Sequence, residues 1–182
     1  YLSHWAIHNP LQALRSDVEQ MSHIKGHNLQ VYAGMIAALD RSVGKVVQKL
    51  KDLDIYGKTL IIFTSDNGGA NYIELEDINK PFRGWKISFF EGGIRVPFIV
   101  SWPDKINPGM NSDSAVHHFD IFPTIASAAQ VEPSNERILD GVDLLPHIKK
   151  ENSAEPHKTL FWRSGNHQSV LHEKWKYIIS IK

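Results

Sequence analysis

The stretch that most limits what this chain can fold into is Thr59–Gly69, T-L-I-I-F-T-S-D-N-G-G. A continuous, β-branched apolar run without alternation suits a strand buried on both faces. It stops abruptly on an acid, an amide and two glycines. Upstream, Leu29–Leu53 carries Tyr32, Ile36, Leu39, Val43, Val46, Val47, Leu50 and Leu53 along one helical stripe. Asn28 is placed to cap its start, and Gly57 lies past its end. A helix, a short connection and a buried strand make half of an α/β unit and predict a parallel sheet. Val96–Trp102 (V-P-F-I-V-S-W) predicts a second buried strand, with Pro97 at its entry, where a missing N–H is tolerated.

The remaining elements arrange themselves around this unit. Tyr1–Ala6 reads as the end of a strand, followed by the loop I-H-N-P-L-Q, and Leu11–Gly26 as irregular or briefly helical. His118–Gln130 predicts an amphipathic helix with Phe119, Phe122, Ile125, Ala126 and Ala129 on its apolar face. Gly141–Lys150 holds a short helix. Thr159–Arg163, Gln168–His172 and Lys176–Ile181 predict three short strands of a small antiparallel sheet. The organisation expected is therefore α/β over residues 1–150, then the start of a small antiparallel subdomain over 151–182, cut short. Both ends read as interrupted elements of something longer.

Composition excludes some functions. Lys plus Arg and Asp plus Glu are equal at 20 each, so no electrostatic footprint favours nucleic acid or an anionic membrane. No apolar stretch approaches the roughly 20 residues of a membrane span. With no cysteine, disulfides, thiolate metal sites and cysteine nucleophiles are excluded within the chain. There is no G-x-S-x-G elbow, no Walker A loop and no H-E-x-x-H zinc pattern.

The chemistry concentrates in two segments. Asp66 and Asn67 stand where an α/β strand ends, the edge at which such sheets bind ligands. A carboxylate and an amide carbonyl are hard oxygen donors suited to Ca²⁺ or Mg²⁺. The same four residues also make an ordinary Asp-Asn-Gly-Gly turn. In Gly84–Pro97, G-W-K-I-S-F-F-E-G-G-I-R-V-P, Lys86 is a compact cation suited to a phosphate or sulfate oxygen, or else a solvated surface lysine. Glu91-Gly92-Gly93 reads as a turn feeding Arg95 into the next strand, with Glu91 and Arg95 structural. His8 follows an apparent strand and is placed to protonate a leaving alkoxide or hold an anion, or else is a loop histidine with no role. His4, His23 and His27 have weaker claims to that task. His117 and His118 read as helix caps or packing residues.

These segments together resemble the C-terminal half of a formylglycine-dependent (type I) sulfatase, similar to the arylsulfatase A and B group. The matching stretches are Ala6–Gln12 (A-I-H-N-P-L-Q), Tyr32–Asp40, Phe63–Gly69, Arg83–Pro97, Asp120–Thr124 (D-I-F-P-T) and Leu139–Leu144 (L-D-G-V-D-L). They keep the family's order over nearly the whole chain. The resemblance implies an alkaline-phosphatase-like α/β fold: the C-terminal part of the main mixed sheet with flanking helices, plus a small antiparallel C-terminal subdomain. It implies a sulfuric ester hydrolase in which Asp66 and Asn67 are Ca²⁺ ligands, with Mg²⁺ the alternative. Lys86 would bind the sulfate and stabilise developing charge. His8 would bind the sulfate and protonate the leaving oxygen.

The family's C/S-x-P-x-R motif, source of the formylglycine nucleophile, does not occur here. Its N-terminal aspartate pair and the residues that hold the formylglycine are also missing. The resemblance therefore implies a portion of a longer enzyme, inactive alone, with a weak partial Ca²⁺ site and uncovered apolar faces. It would rely on the rest of the sulfatase chain or on homo-oligomerisation. A phosphoesterase of the same superfold and a non-catalytic domain binding sulfated glycans are the alternatives. The substrate class is a sulfated small molecule or glycan, with specificity from loops such as Asn71–Arg83 and from the strand-rich C-terminal region, where Trp162, His167 and His172 either line the site or pack. The family resemblance places the parent in the periplasm, a secreted fraction or the lysosome.

Overall fold

The computed structural model describes residues 1–71, 75, 77–134 and 136–179. In chain order the elements are α1 (Arg15–Gln20), α2 (His27–Asp52), β1 (Ile61–Thr64), α3 (Glu91–Ile94), β2 (Phe98–Ser101), a 3₁₀ turn (His118–Asp120), α4 (Ile121–Ala128), α5 (Leu145–Ile148), β3 (Thr159–Ser164), β4 (His167–His172) and β5 (Trp175–Ile179). The chain divides into two compact units: Tyr1–Thr59 with Thr64–Phe98, and Leu60–Phe63 with Ile99–Lys182. β1 and β2 are hydrogen-bonded neighbours in a two-stranded sheet. Both are half-exposed along most of their length rather than fully buried as expected. Ile99 in β2 is 58% exposed, because pairing edge to edge leaves the faces of a two-stranded sheet to be covered by other elements.

In the first unit, α2 is the long helix that periodicity predicted, but its start differs. Asn28 lies inside the helix, and the N-cap is Gly26 at φ 97° with no side-chain cap bond. At the other end Gly57 has no capping role. The C-cap is Leu53, and Asp54 follows it at φ 54°, the left-handed place usually given to glycine. The deepest face of α2 runs through Val31, Gly34 and Met35. α1 packs there, and a methyl group on Gly34 would sit 3.2 Å from Ala13 Cβ. Arg41 Nη2 reaches the buried Asp17 carboxylate at 2.7 Å and ties α1 to α2. That bond raises the guanidinium's pKa further. Ile36 and Val46, on the stripe read from sequence, are instead exposed.

Tyr1–Ala6 is not a strand. A strand needs a neighbour for its N–H and C=O groups, and among the described residues none pairs with this segment.

The second unit is organised by Asp120, which is fully buried. Its Oδ2 accepts from the His117 N–H at 2.7 Å and its Oδ1 from the Val142 N–H at 3.0 Å. His157 Nε2 lies 2.8 and 2.9 Å from the two oxygens. Thr124 Oγ1 donates to the Asp120 carbonyl and accepts from the Leu144 N–H. The D-I-F-P-T and L-D-G-V-D-L stretches are thereby bolted together. His117 caps as its sequence position suggested, its Nδ1 accepting from the Phe119 N–H within a capping box. Burial, and then the neighbouring His118, lower its pKa.

The three C-terminal strands form the expected antiparallel sheet, order β3-β4-β5. Leu160 pairs with Leu171, and Val170 lies between Phe161 and Tyr177. Leu160 and Ser169 point to the covered face, while Phe161, Trp175 and Tyr177 lie on the exposed one. The third strand runs Trp175–Ile179, so the last predicted residues, 180 and 181, fall outside the described residues.

Candidate anion and metal site

All four residues singled out from sequence lie in the first unit. β1 ends at Thr64, and the turn that follows is closed by its own side chains. Ser65 Oγ donates to the Asn67 carbonyl at 3.0 Å, and Asn67 Nδ2 donates to the Gly68 carbonyl at 2.9 Å. Asp66 is exposed and Asn67 half-buried.

The turn is then docked against the Arg83–Gly93 segment through backbone bonds. Gly68 N–H donates to Gly93 O at 2.9 Å and Lys86 N–H to Gly69 O at 3.0 Å, and within the segment itself Gly92 N–H donates to Arg83 O at 2.7 Å. This contact explains the glycines differently from the expected tight turn beneath an ion. Gly68 does not take a left-handed φ; it is required because a Cβ there would run into the Gly92 carbonyl oxygen. Glu91-Gly92-Gly93, expected as a turn, is instead the first part of α3. Glu91 and Arg95 are 4.0 Å apart, with the Arg95 guanidinium 4.9 Å from the Phe82 ring, in keeping with a structural role.

His8 and Lys86 meet. Lys86 Nζ lies 3.3 Å from His8 Nε2. His8 Nδ1 is 2.8 Å from the Asn9 carbonyl oxygen. A carbonyl can only accept, so Nδ1 carries the proton, and the neutral ring presents Nε2 as the acceptor for the Lys86 ammonium. The Trp5 ring packs edge-on against His8 at 6.1 Å.

The residues flanking this pair are conformationally unusual. Ile7 has φ 62° and Ile87 φ 81°. A β-branched side chain in the left-handed region is a genuine outlier, and such strain gathers where the surrounding structure dictates a side chain's position. His4, His23 and His27 are exposed, and the histidine that accepts from the Lys86 ammonium is His8. In the second unit, Trp162 is taken up by packing, with the His117 ring at 5.9 Å and the Lys176 ammonium at 5.3 Å. His172 Nδ1 is 2.8 Å from Thr159 Oγ1.

Sequence reasoning missed Asn79. Its Oδ1 accepts from the Gly69 N–H at 2.8 Å, and its Nδ2 donates to Gly69 O at 2.9 Å and Gly84 O at 3.2 Å. Nothing in the local sequence distinguishes it from other polar residues of its loop. Only the approach of distant backbone gives it a task.

The donor set fits part of a hard-cation shell. Asp66 offers a carboxylate, and with Asn67 Nδ2 committed to Gly68, the amide Oδ1 is the end available to a cation. Among the described residues no group of three His, Asp or Glu side chains gathers around an ion position. Ca²⁺ takes six to eight oxygens, so these two residues supply a fraction of its ligands.

Comparison with known proteins identifies the family. Residues 1–131 match the family model described as Sulfatase, and residues 84–181 match N-sulphoglucosamine sulphohydrolase, C-terminal. The chain belongs to the sulfatase family. It is 35% identical over 171 residues to N-acetylgalactosamine-6-sulfatase of Sus scrofa, an alignment covering 91% of this chain and 31% of that protein. It is 37% identical over 138 residues to steryl-sulfatase of Homo sapiens, covering 72% of this chain and 24% of the relative. Among solved structures, Ps i-CgsB in complex with k-i-k-neocarrahexaose superposes with a TM-score of 0.84 at 34% identity, covering 94% of this chain and 38% of that one. The fold is accordingly part of the alkaline-phosphatase-like α/β architecture. The chain spans about a quarter to a third of the length of these curated relatives.

Proposed function

We propose that this chain supplies the anion clamp and part of the metal site of a sulfuric ester hydrolase, which converts R–O–SO₃⁻ and water to R–OH and sulfate. The observation that carries this reading is the 3.3 Å approach of Lys86 Nζ to His8 Nε2, residues separated by 78 positions. Lys86 is also hydrogen-bonded through its backbone to the turn that bears Asp66 and Asn67.

In this reading Lys86 donates to a sulfate oxygen and opposes the charge that builds as the S–O bond breaks. His8 holds a second oxygen. Its Nε2, freed from Lys86 by the arriving anion, takes up a proton that can pass to the leaving oxygen. The Nδ1 bond to Asn9 keeps the ring oriented throughout. Asp66 and Asn67 hold Ca²⁺, with Mg²⁺ the alternative. When bound, the cation supplies Lewis-acid polarisation and a template for the sulfate. The nucleophile, a formylglycine by family resemblance, is not among these residues, so the chain alone is inactive. The substrate is a sulfated small molecule or sulfated glycan, and the compartment periplasmic, secreted or lysosomal. No helix among the described residues is long and apolar enough to cross a membrane.

The test is kinetic, on the whole protein, with 4-nitrophenyl sulfate and 4-nitrophenyl phosphate side by side. Preference for the sulfate, lost with Lys86→Ala, supports the reading. An unchanged kcat/KM in Lys86→Ala removes Lys86 from the chemistry, and preference for the phosphate ester makes the protein a phosphoesterase.

A further inference from the structure

We propose that Asn79 is a positioning residue that locks the metal-ligand turn and the anion lysine into one rigid unit. This rests on the sulfate-clamp reading above. The Asn79 carboxamide pairs with Gly69 as a neighbouring strand would, accepting from its N–H at 2.8 Å and donating to its C=O at 2.9 Å. A further donation at 3.2 Å reaches Gly84 O, two residues before Lys86.

The Gly69 carbonyl is the junction. It accepts from Asn79 Nδ2 and from the Lys86 N–H at 3.0 Å, which uses both of its lone pairs. One face of this junction leads back two residues to Asn67. The other leads directly into the Lys86 backbone. Among the described residues, the hydrogen-bond partners of the Asn79 side chain belong to the turn and to the lysine segment.

The arrangement demands an amide. Aspartate has the same shape and keeps an acceptor for the Gly69 N–H, but it loses both donors and sets charge against two carbonyl oxygens. Alanine loses all three bonds, leaving the Gly69 carbonyl held by the Lys86 N–H alone and the position of Lys86 less tightly fixed. The expected consequence is specific: Asn79 influences sulfate only through where Lys86 stands.

A double-mutant cycle on the whole protein tests this, with inorganic sulfate as the probe, calcium saturating, and affinity read by calorimetry. Lys86→Ala should weaken sulfate by at least about tenfold, and Asn79→Ala by about fivefold. In the Lys86→Ala background, Asn79→Ala should cost less than about twofold, because the side chain it positions is gone. Asn79→Asp takes the same cycle if the alanine variant fails to fold, with the same pattern expected. Equal losses in both backgrounds would assign Asn79 a general structural role and overturn the proposal. No effect of Lys86→Ala on sulfate would overturn the clamp reading and this proposal with it.

Discussion

Lys86 donates through its side chain to His8 Nε2 and through its backbone to Gly69 O, so one residue joins the N-terminal loop to the turn after β1. The backbone of Lys86 is anchored and its ammonium has a partner before any anion arrives. Preorganised charge of this kind is worth most where water is excluded and charge develops.

If His8 protonates the leaving oxygen, its removal should matter in proportion to the leaving group's need for a proton. His8→Ala should lower kcat for an alkyl sulfate by about 10²–10⁴. The loss for 4-nitrophenyl sulfate should be much smaller, since nitrophenolate leaves without help. Equal losses on the two esters would reduce His8 to an anion ligand.

Asp66 contributes the only formal charge of the ligand pair. Asp66→Ala should weaken Ca²⁺ binding, measured by calorimetry, by at least about tenfold. Activity of the whole protein should vanish on chelation and return with Ca²⁺. Retention of Ca²⁺ affinity in the variant would take Asp66 out of the metal site.

Ile87, at φ 81° and 74% exposed, bears strain without the compensation of burial. Ile87→Gly should raise stability by about 0.5–1 kcal/mol, a melting shift of a few degrees, because glycine occupies this region freely. A melting temperature that falls would show that the isoleucine packs against something essential.

His117 links the second unit to pH. Burial first, and then His118, depress its folded pKa below the ordinary histidine value, while Asp120 pulls the other way and His157 adds to the depression. Below about pH 6.5 the unfolded chain takes up a proton that the folded one resists, so stability is lost as pH falls through that range and is unaffected above it. Protonation at Nδ1 would also remove the acceptor for the Phe119 N–H. Urea unfolding at pH 7.5 and 5.5 should therefore show a drop that is smaller in His117→Asn, which still caps but does not titrate. An identical drop in the variant would place the pH dependence elsewhere.

The candidate site was legible in sequence to the extent that its parts are local. The end of β1 announces Asp66 and Asn67 through an apolar run that stops on polar residues. The C-terminal strands announce themselves through alternation, and α2 through its period. What was hidden depends on distant partners. Two glycines in succession argue against helix, yet Gly92 and Gly93 are helical in α3, at positions where a Cβ would run into the carbonyl oxygens of Gly84 and Ser88. Asn28 is a good cap by type, but the chain enters α2 through Gly26. Tyr1–Ala6 has strand composition, but composition cannot provide the neighbour a strand needs. Asn79 is visible only once Gly69 and Gly84 are seen to converge.

The meeting of Gly68 with the Gly92 carbonyl also bears on inheritance. Any missense change at Gly68 adds at least a Cβ, and every Cβ meets the same oxygen. Position 68 thus has no conservative allele: alanine should be as damaging there as arginine. Asp120, Thr124 and His157 form a network within the second unit, so such an allele should distort the turn that bears Asp66 and Asn67 while leaving that network in place.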